Sequence, residues 1–255
     1  MTAPLAIAVS GAAGRMGTEV RRMVDAADDL TLAVALERAD HPEAGQAYET
    51  DLATGLRDAT VVIDFTLAAA APPLFRAAAA AGVAIVSGTT GLDDEGEAAL
   101  DEASGRVGVV HSPNMSLGVN LLFALTERVA AVLPASYEAE IVELHHRHKR
   151  DAPSGTALGL LRALRAARPA PPAADVFGRR GDLDPRAPEE VGVHALRGGE
   201  VVGEHRVYFL GDHERVEVGH IAQTRAAFAQ GAIQAARWVV NQPPGRYDMQ
   251  RVLGL

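Results

Sequence analysis

The chain has 255 residues, enough for one large domain or two modest ones with a buried core. Hydrophobic residues make up 48% and aromatics only 4%, so a globular core here is built from Ala, Val, Leu and Ile, with frequent helices. A formal net charge of −9 argues against nucleic acid as the main partner, and the lack of cysteine excludes disulfides, thiolate catalysis and Cys-ligated metals.

Residues 5–9 are a short apolar run that reads as a strand, not as a signal peptide. No apolar stretch is long enough for a bilayer; even residues 68–81 are broken by Pro72, Pro73 and Arg76. The expectation is a cytoplasmic protein with no membrane partner. A glycine-rich turn follows, then helical spacing over 14–26 with Met16, Val20, Met23 and Val24 near one face, then a strand at 30–36. Further strands are predicted at 61–63, 83–86 and 107–111, with helices at 68–81 and 94–104 between them. Such alternation implies a Rossmann-like, doubly wound parallel α/β sheet.

The pattern changes after Ser112-Pro113-Asn114. A long apolar helix is predicted at 119–133, a strand at 138–144 and a helix at 155–167. Residues 191–196, 201–210 and 215–222 alternate polar and apolar and read as antiparallel strands, with Gly198-Gly199 and Gly211-Asp212 at the turns. The second region is therefore α+β with a mixed or antiparallel sheet. A final helix at 228–241 has an apolar face suited to packing on the first domain.

Gly11-Ala12-Ala13-Gly14-Arg15-Met16-Gly17 sits between a strand and a helix. Glycines there either make a tight connection or bring backbone amides close to a pyrophosphate at the helix start. Glu37, roughly 20 residues on and after the next strand, stands where a dinucleotide fold places an acid on the ribose hydroxyls. That context favours the cofactor reading. Arg38 follows at once and suits a 2′-phosphate, so NADH and NADPH both remain open. Gly88-Thr89-Thr90 and Asn114 lie just past later strands, where open α/β sheets bind ligands. Asp64 in Asp64-Phe65-Thr66 either joins them or caps the next helix.

The densest chemistry lies in Glu143-Leu144-His145-His146-Arg147-His148-Lys149-Arg150-Asp151-Ala152-Pro153-Ser154-Gly155-Thr156, which holds three of the nine histidines. In an extended strand His145 and Lys149 would stand about 13 Å apart, so acting on one substrate atom requires a bend. Asp151-Ala152-Pro153 supplies bend-prone residues, and Ser154 suits an N-cap that leaves the Gly155 and Thr156 amides at a helix start. Three readings compete: a solvated basic loop, a metal site on His145, His146 and His148, and an anion-binding catalytic loop with a proton donor. No metal-binding spacing supports the second, and the expectation is no metal.

These residues closely resemble one family, the 4-hydroxy-tetrahydrodipicolinate (dihydrodipicolinate) reductases. The resemblance rests on the glycine turn, Ala35-Leu36-Glu37-Arg38, Val62-Ile63-Asp64-Phe65-Thr66, Gly88-Thr89-Thr90-Gly91, Asn114-Met115-Ser116-Leu117-Gly118-Val119-Asn120, the histidine run through Ala157, and Val202-Gly203-Glu204-His205. It implies a homotetramer, with a dinucleotide-binding domain over 1–116 plus 226–255 and a substrate-binding and oligomerisation domain over 117–225. It also implies NADH- or NADPH-dependent reduction of a small cyclic hydroxy-dicarboxylate in lysine (diaminopimelate) biosynthesis. Water is lost in that reaction and hydride goes to ring C4. By position, His145 and Lys149 match the family's catalytic pair, and His146, Gly155 and Thr156 its substrate contacts. Gly11, Ala12, Ala13, Gly14, Arg15, Met16, Glu37, Arg38, Gly88, Thr89, Thr90, Ser112, Pro113, Asn114 and Met115 match its cofactor contacts. Ser112-Pro113-Asn114-Met115 departs from the Ala-Ala-Asn-Phe of some members, so an aromatic nicotinamide contact does not carry over to Met115. Two rivals keep a place: a nucleotide-sensing protein of the same fold, and an amino-acid dehydrogenase of similar plan.

Overall fold

The structure, a computed structural model, describes residues 3–255 apart from the side chain of Pro172. The chain divides into two units, Met1–Leu117 with Arg225–Leu255, and Gly118–Thr224.

The first unit begins with β1 (Leu5–Ser10), α1 (Arg15–Asp25) and β2 (Leu30–Leu36), followed by a single turn of helix, α2 (Leu52–Gly55). β3 (Val61–Asp64), α3 (Ala71–Ala81), β4 (Ala84–Ser87), α4 (Asp94–Ser104) and β5 (Gly108–His111) continue the alternation. The helix expected over 68–81 is split: Ala68–Ala70 is a 3-10 turn, and Pro72 and Pro73 then occupy the start of α3. Proline is tolerated there because those N–H groups have no intrahelical acceptor.

The second unit carries α5 (Leu117–Val132), β6 (Glu138–His145), α6 (Gly155–Ala167), the short β7 (Asp175–Val176), β8 (Val191–Arg197), β9 (Gly203–Leu210) and β10 (Arg215–Ala222). The chain then returns to the first unit through α7 (Ala226–Val239), β11 (Gly245–Tyr247) and α8 (Met249–Leu253).

In the first unit six parallel strands run in the order β11-β5-β4-β3-β1-β2. The chain order reverses at β1, which lies between β2 and β3, so the loops beyond the carboxyl ends of these strands border a crevice. Both faces are covered. Val20 and Val24 of α1 pack with Ala232, Ile233 and Ala236 of α7 on one side, and Leu74, Phe75 and Ala78 of α3 with Leu100 of α4 on the other. That is why β3 and β4 are buried along their whole length without polar alternation.

The sheet of the second unit runs β10-β9-β6-β8-β7. This order differs from the run of antiparallel neighbours expected over 191–222. β9 pairs antiparallel with β10 and with β6, but β8 lies parallel to β6 and does not neighbour β9. The segment at Gly198-Gly199 is thus a connection over β6 and not a hairpin turn. Alternation reports which face a residue occupies, not which strand lies beside it. One face of this sheet packs Ile141, Val193, Val207 and Phe209 against Leu122 of α5 and Leu160 and Leu164 of α6. Among the described residues no helix is long and apolar enough to cross a membrane.

Candidate active site

The glycine turn closes on itself: the Gly14 N–H donates to the Gly11 carbonyl at 3.0 Å. Gly11 adopts φ +74°, and a Cβ on Gly17 would stand 2.2 Å from the Gly11 carbonyl oxygen, so glycine is required at both positions. α1 starts with no side-chain cap, whereas α2, α4 and α8 are capped by Asp51, Asp93 and Asp248. A helix start without a capping carboxylate keeps its amides and its partial positive charge for an anion. Glu37 reaches this turn: one oxygen accepts from the Ala13 N–H at 3.0 Å and the other from the Arg38 N–H at 3.1 Å. Arg38 lies beside Asp40 at 3.2 Å, both exposed. A cavity of about 530 Å³ opens here, its wall including Gly11, Ala13, Gly14, Glu37, Arg38 and Thr66.

The remaining cofactor candidates divide. Ala12 is buried, Arg15 is exposed on the first turn of α1, and Met16 packs against the core. Gly88 and Thr89 are tied to the loop after β3. The buried Asp64 carboxylate accepts from the Ser87 and Thr89 hydroxyls at 2.8 Å each, and from the Thr66 hydroxyl at 2.7 Å. Thr90 is exposed just beyond them. Asp64 thus clamps two loops instead of capping the next helix. Gly88 lies under the Phe65 ring, which a Cβ would meet at 2.3 Å. Ser112 holds the Asn114 carbonyl through its hydroxyl at 2.8 Å, bending the chain at Pro113. Met115 is buried in the core at 1% exposure, so its side chain is not offered to a ligand at the loop.

On β6 every second residue is buried, and the series Ala139, Ile141 continues as Glu143, His145. The inner face of one strand therefore changes from apolar to ionisable at its end. Strand pairing sets Arg197 of β8 beside His145, and His205 of β9 beside Glu143. Glu143 Oε2 lies 2.5 Å from His145 Nδ1, and Arg197 donates to both Glu143 oxygens at 2.8 Å each. The Ser154 N–H adds a bond to Oε1 at 2.9 Å. Burial alone would raise the Glu143 pKa; hydrogen bonds from His145, Arg197 and Ser154 outweigh it and hold the group at about 2.

The bend required by the histidine run is present. β6 ends at His145, and the Lys149 N–H donates back to the His146 carbonyl at 3.1 Å. Lys149 Nζ lies 2.9 Å from Asp151. Arg147 and His148 are exposed beside Glu200, while His146 is half-buried. Ser154 caps α6, its hydroxyl accepting from the Ala157 N–H at 3.1 Å. Gly155 is exposed, and a Cβ there would touch nothing within 4 Å, so packing within the chain gives no reason for glycine. Room at a helix start is what an approaching carboxylate needs.

Glu143, Arg197 and His205 received no role from sequence reasoning. For Glu143 a signal existed, since two-residue alternation places it on the face of His145; Arg197 and His205 arrive only through strand pairing. His205 Nε2 lies 3.1 Å from the Ser154 hydroxyl. Burial, then the neighbouring His145, push the His205 pKa down to about 3, so this ring is neutral. Gly203 leaves room for the His145 ring, whose Nε2 would lie 3.0 Å from a Cβ. Among the described residues no group of three His, Asp or Glu side chains is placed to hold a metal ion.

Family models describing the N-terminus and the C-terminus of dihydrodipicolinate reductase match residues 5–115 and 118–253. A 4-hydroxy-tetrahydrodipicolinate reductase of Anaeromyxobacter dehalogenans is 48% identical over 98% of this chain and 97% of its own length. One from Thiobacillus denitrificans is 46% identical over 98% of each. Among solved structures, a dipicolinate-bound dihydrodipicolinate reductase from Paenisporosarcina sp. TG-14 shares the fold at TM-score 0.80, with 21% identity over 96% of this chain and 97% of that one. A C. glutamicum DAP dehydrogenase in complex with DAP shares it more distantly, at TM-score 0.56 and 15% identity over 97% and 93%.

Proposed function

This chain belongs to the dihydrodipicolinate reductase family, and from that premise we propose that it reduces 4-hydroxy-tetrahydrodipicolinate to tetrahydrodipicolinate with NADH or NADPH. One proton and one hydride are taken up, and the ring hydroxyl leaves as water. The observation that carries this reading is the end of β6. A carboxylate-held imidazole, His145, is followed at once by a turn bearing Lys149 and by an open, Ser154-capped helix start at Gly155. A dicarboxylate needs cations and helix amides, and the reaction needs a proton.

The first unit fits a dinucleotide: the uncapped start of α1, the glycine turn and Glu37 border one cavity. The bound cofactor supplies the hydride. The glycine turn and the Arg15 and Met16 amides at the uncapped start of α1 hold its phosphates, Glu37 its ribose, and the loops at 88–90 and 112–115 the nicotinamide end. In the second unit His146 and the Gly155 and Thr156 amides hold the substrate carboxylates, and His145 or Lys149 gives the proton.

The test is oxidation of NADH and of NADPH with substrate freshly made by the preceding synthase. Oxidation that requires the synthase product supports the reaction; cofactor binding without oxidation would overturn it in favour of a sensing protein. Arg38→Ala is expected to raise the Michaelis constant for NADPH more than for NADH, as Arg38 borders the cavity next to the ribose acid. Equal effects on both would remove Arg38 from the 2′-phosphate.

The proposal extends to a homotetramer. The second unit's sheet packs both of its unit's long helices on one face. The opposite face bears Glu140, Arg179 and His194 in one ion-pair network and exposes Leu196 and Ile221. A solution mass equal to one subunit, by light scattering, would refute it.

A further inference from the structure

We propose that Glu143 is a positioning residue for this reaction: its buried carboxylate fixes the proton of His145 on Nδ1, with Arg197 and the Ser154 amide locking the carboxylate in place. The inference rests on the reading of His145 as a proton carrier, but its central claim concerns the ring alone.

Glu143 is fully buried, with 0% exposure. A lone carboxylate there would be strongly disfavoured, so its partners must satisfy both oxygens. They do so in a defined pattern. Oε1 accepts from the Ser154 N–H at 2.9 Å and from Arg197 Nη2 at 2.8 Å. Oε2 accepts from Arg197 Nη1 at 2.8 Å and faces His145 Nδ1. Arg197 is held in turn by the Asp151 carbonyl at 2.7 Å and the Leu196 carbonyl at 2.6 Å. A fork of this geometry resists rotation of the carboxylate about its own axis.

Two consequences follow. An ionised carboxylate only accepts, so His145 Nδ1 must be the donor. Nε2 is then the nitrogen left for chemistry, and it lies on the Gly203 side of the ring. Further, the same carboxylate binds the residue that caps α6. One buried group thus sets the His145 ring and the start of the proposed carboxylate site in a common frame. A displacement of about 1 Å between such parts is enough to cost about 10²-fold in rate.

Glu143→Gln separates positioning from mere space filling. The amide keeps the volume but replaces one acceptor by an –NH₂ donor. At the Oε1 position that donor would face both the Ser154 N–H and Arg197 Nη2; at the Oε2 position it meets one Arg197 donor and His145. The second placement is the less conflicted, and it requires His145 Nδ1 to accept. The His145 proton should then move to Nε2.

The decisive measurement is the tautomer of neutral His145, read by long-range ¹H–¹⁵N correlation of the histidine side chains, with His145→Gln for assignment. Expected are Nδ1–H in the native protein and Nε2–H in Glu143→Gln, with kcat lowered about 10- to 10²-fold and the NADPH Michaelis constant unchanged. Nε2–H in the native protein would overturn the proposal, and that reading needs neither a folded Glu143→Gln variant nor a substrate. Native kcat in Glu143→Gln would overturn it equally. Were the chain to act on a different substrate, the tautomers would still read as stated, so failure of the assigned reaction and failure of this inference are distinguishable.

Discussion

Replacing Lys149 by alanine is expected to lower turnover by about 10²-fold or more, the scale of a lost general acid. The chain turns after β6, the Lys149 N–H donating to the His146 carbonyl, so Lys149 is not carried along an extended strand. Its ammonium is about one-fifth exposed and lies 2.9 Å from Asp151. The neighbouring Arg147 and His148 are well exposed beside Glu200. Alanine at either of those is expected to leave turnover near normal, which controls for loss of positive charge in the loop. Lys149→Arg divides the role further. A guanidinium keeps the charge but does not release a proton near neutral pH. Steady-state kinetics should therefore show a restored substrate Michaelis constant with kcat still depressed. Near-normal turnover in Lys149→Ala would end its assignment as acid and leave His145 as the donor.

The second large effect concerns stability. Gly231 lies in α7, where a Cβ would stand 1.7 Å from the Met115 carbonyl oxygen and 2.8 Å from its carbon. Both are backbone atoms, so no side-chain rotation relieves the contact. Either α7 lifts from the sheet or the 112–115 loop moves. α7 buries Ala229, Ala232, Ile233, Ala235, Ala236 and Val239, and a shift of the helix disturbs all of them. Gly231→Ala is expected to destabilise the protein by about 3 kcal/mol, the upper end for overpacking, measured as a lower denaturant midpoint at unchanged slope. NADH affinity of the folded fraction should also fall, because the displaced loop is one proposed to hold the cofactor. Native stability would mean that helix and loop separate freely, and would remove α7 as the support of that loop.

Much of the local structure was legible in the chain. The helices at Asp94–Ser104 and Gly155–Ala167 match their predicted bounds, and Ser154 caps α6 as its hydroxyl and its place before an apolar helix implied. The glycine turn, the uncapped α1 start and Glu37 lie together as their spacing suggested. These signals are local: a cap, a turn and a helical period act within a few residues. Other elements carried too little pattern to be read. β7 has two residues, β11 three, and α2 is a single turn.

Sequence alone thus determined the alternating α/β order, the places where the backbone turns, and which residue types stand ready for anion and proton chemistry. Tertiary structure decided which strands are neighbours. β8 lies beside β6 and not β9, and so Arg197, far along the chain, reaches the Glu143 carboxylate. It also decided that Met115 faces the core and that Gly231 must be glycine. The reason is physical. Alternation fixes which side of a strand a residue occupies, but register and partner depend on packing between segments distant in the chain, which no local pattern encodes.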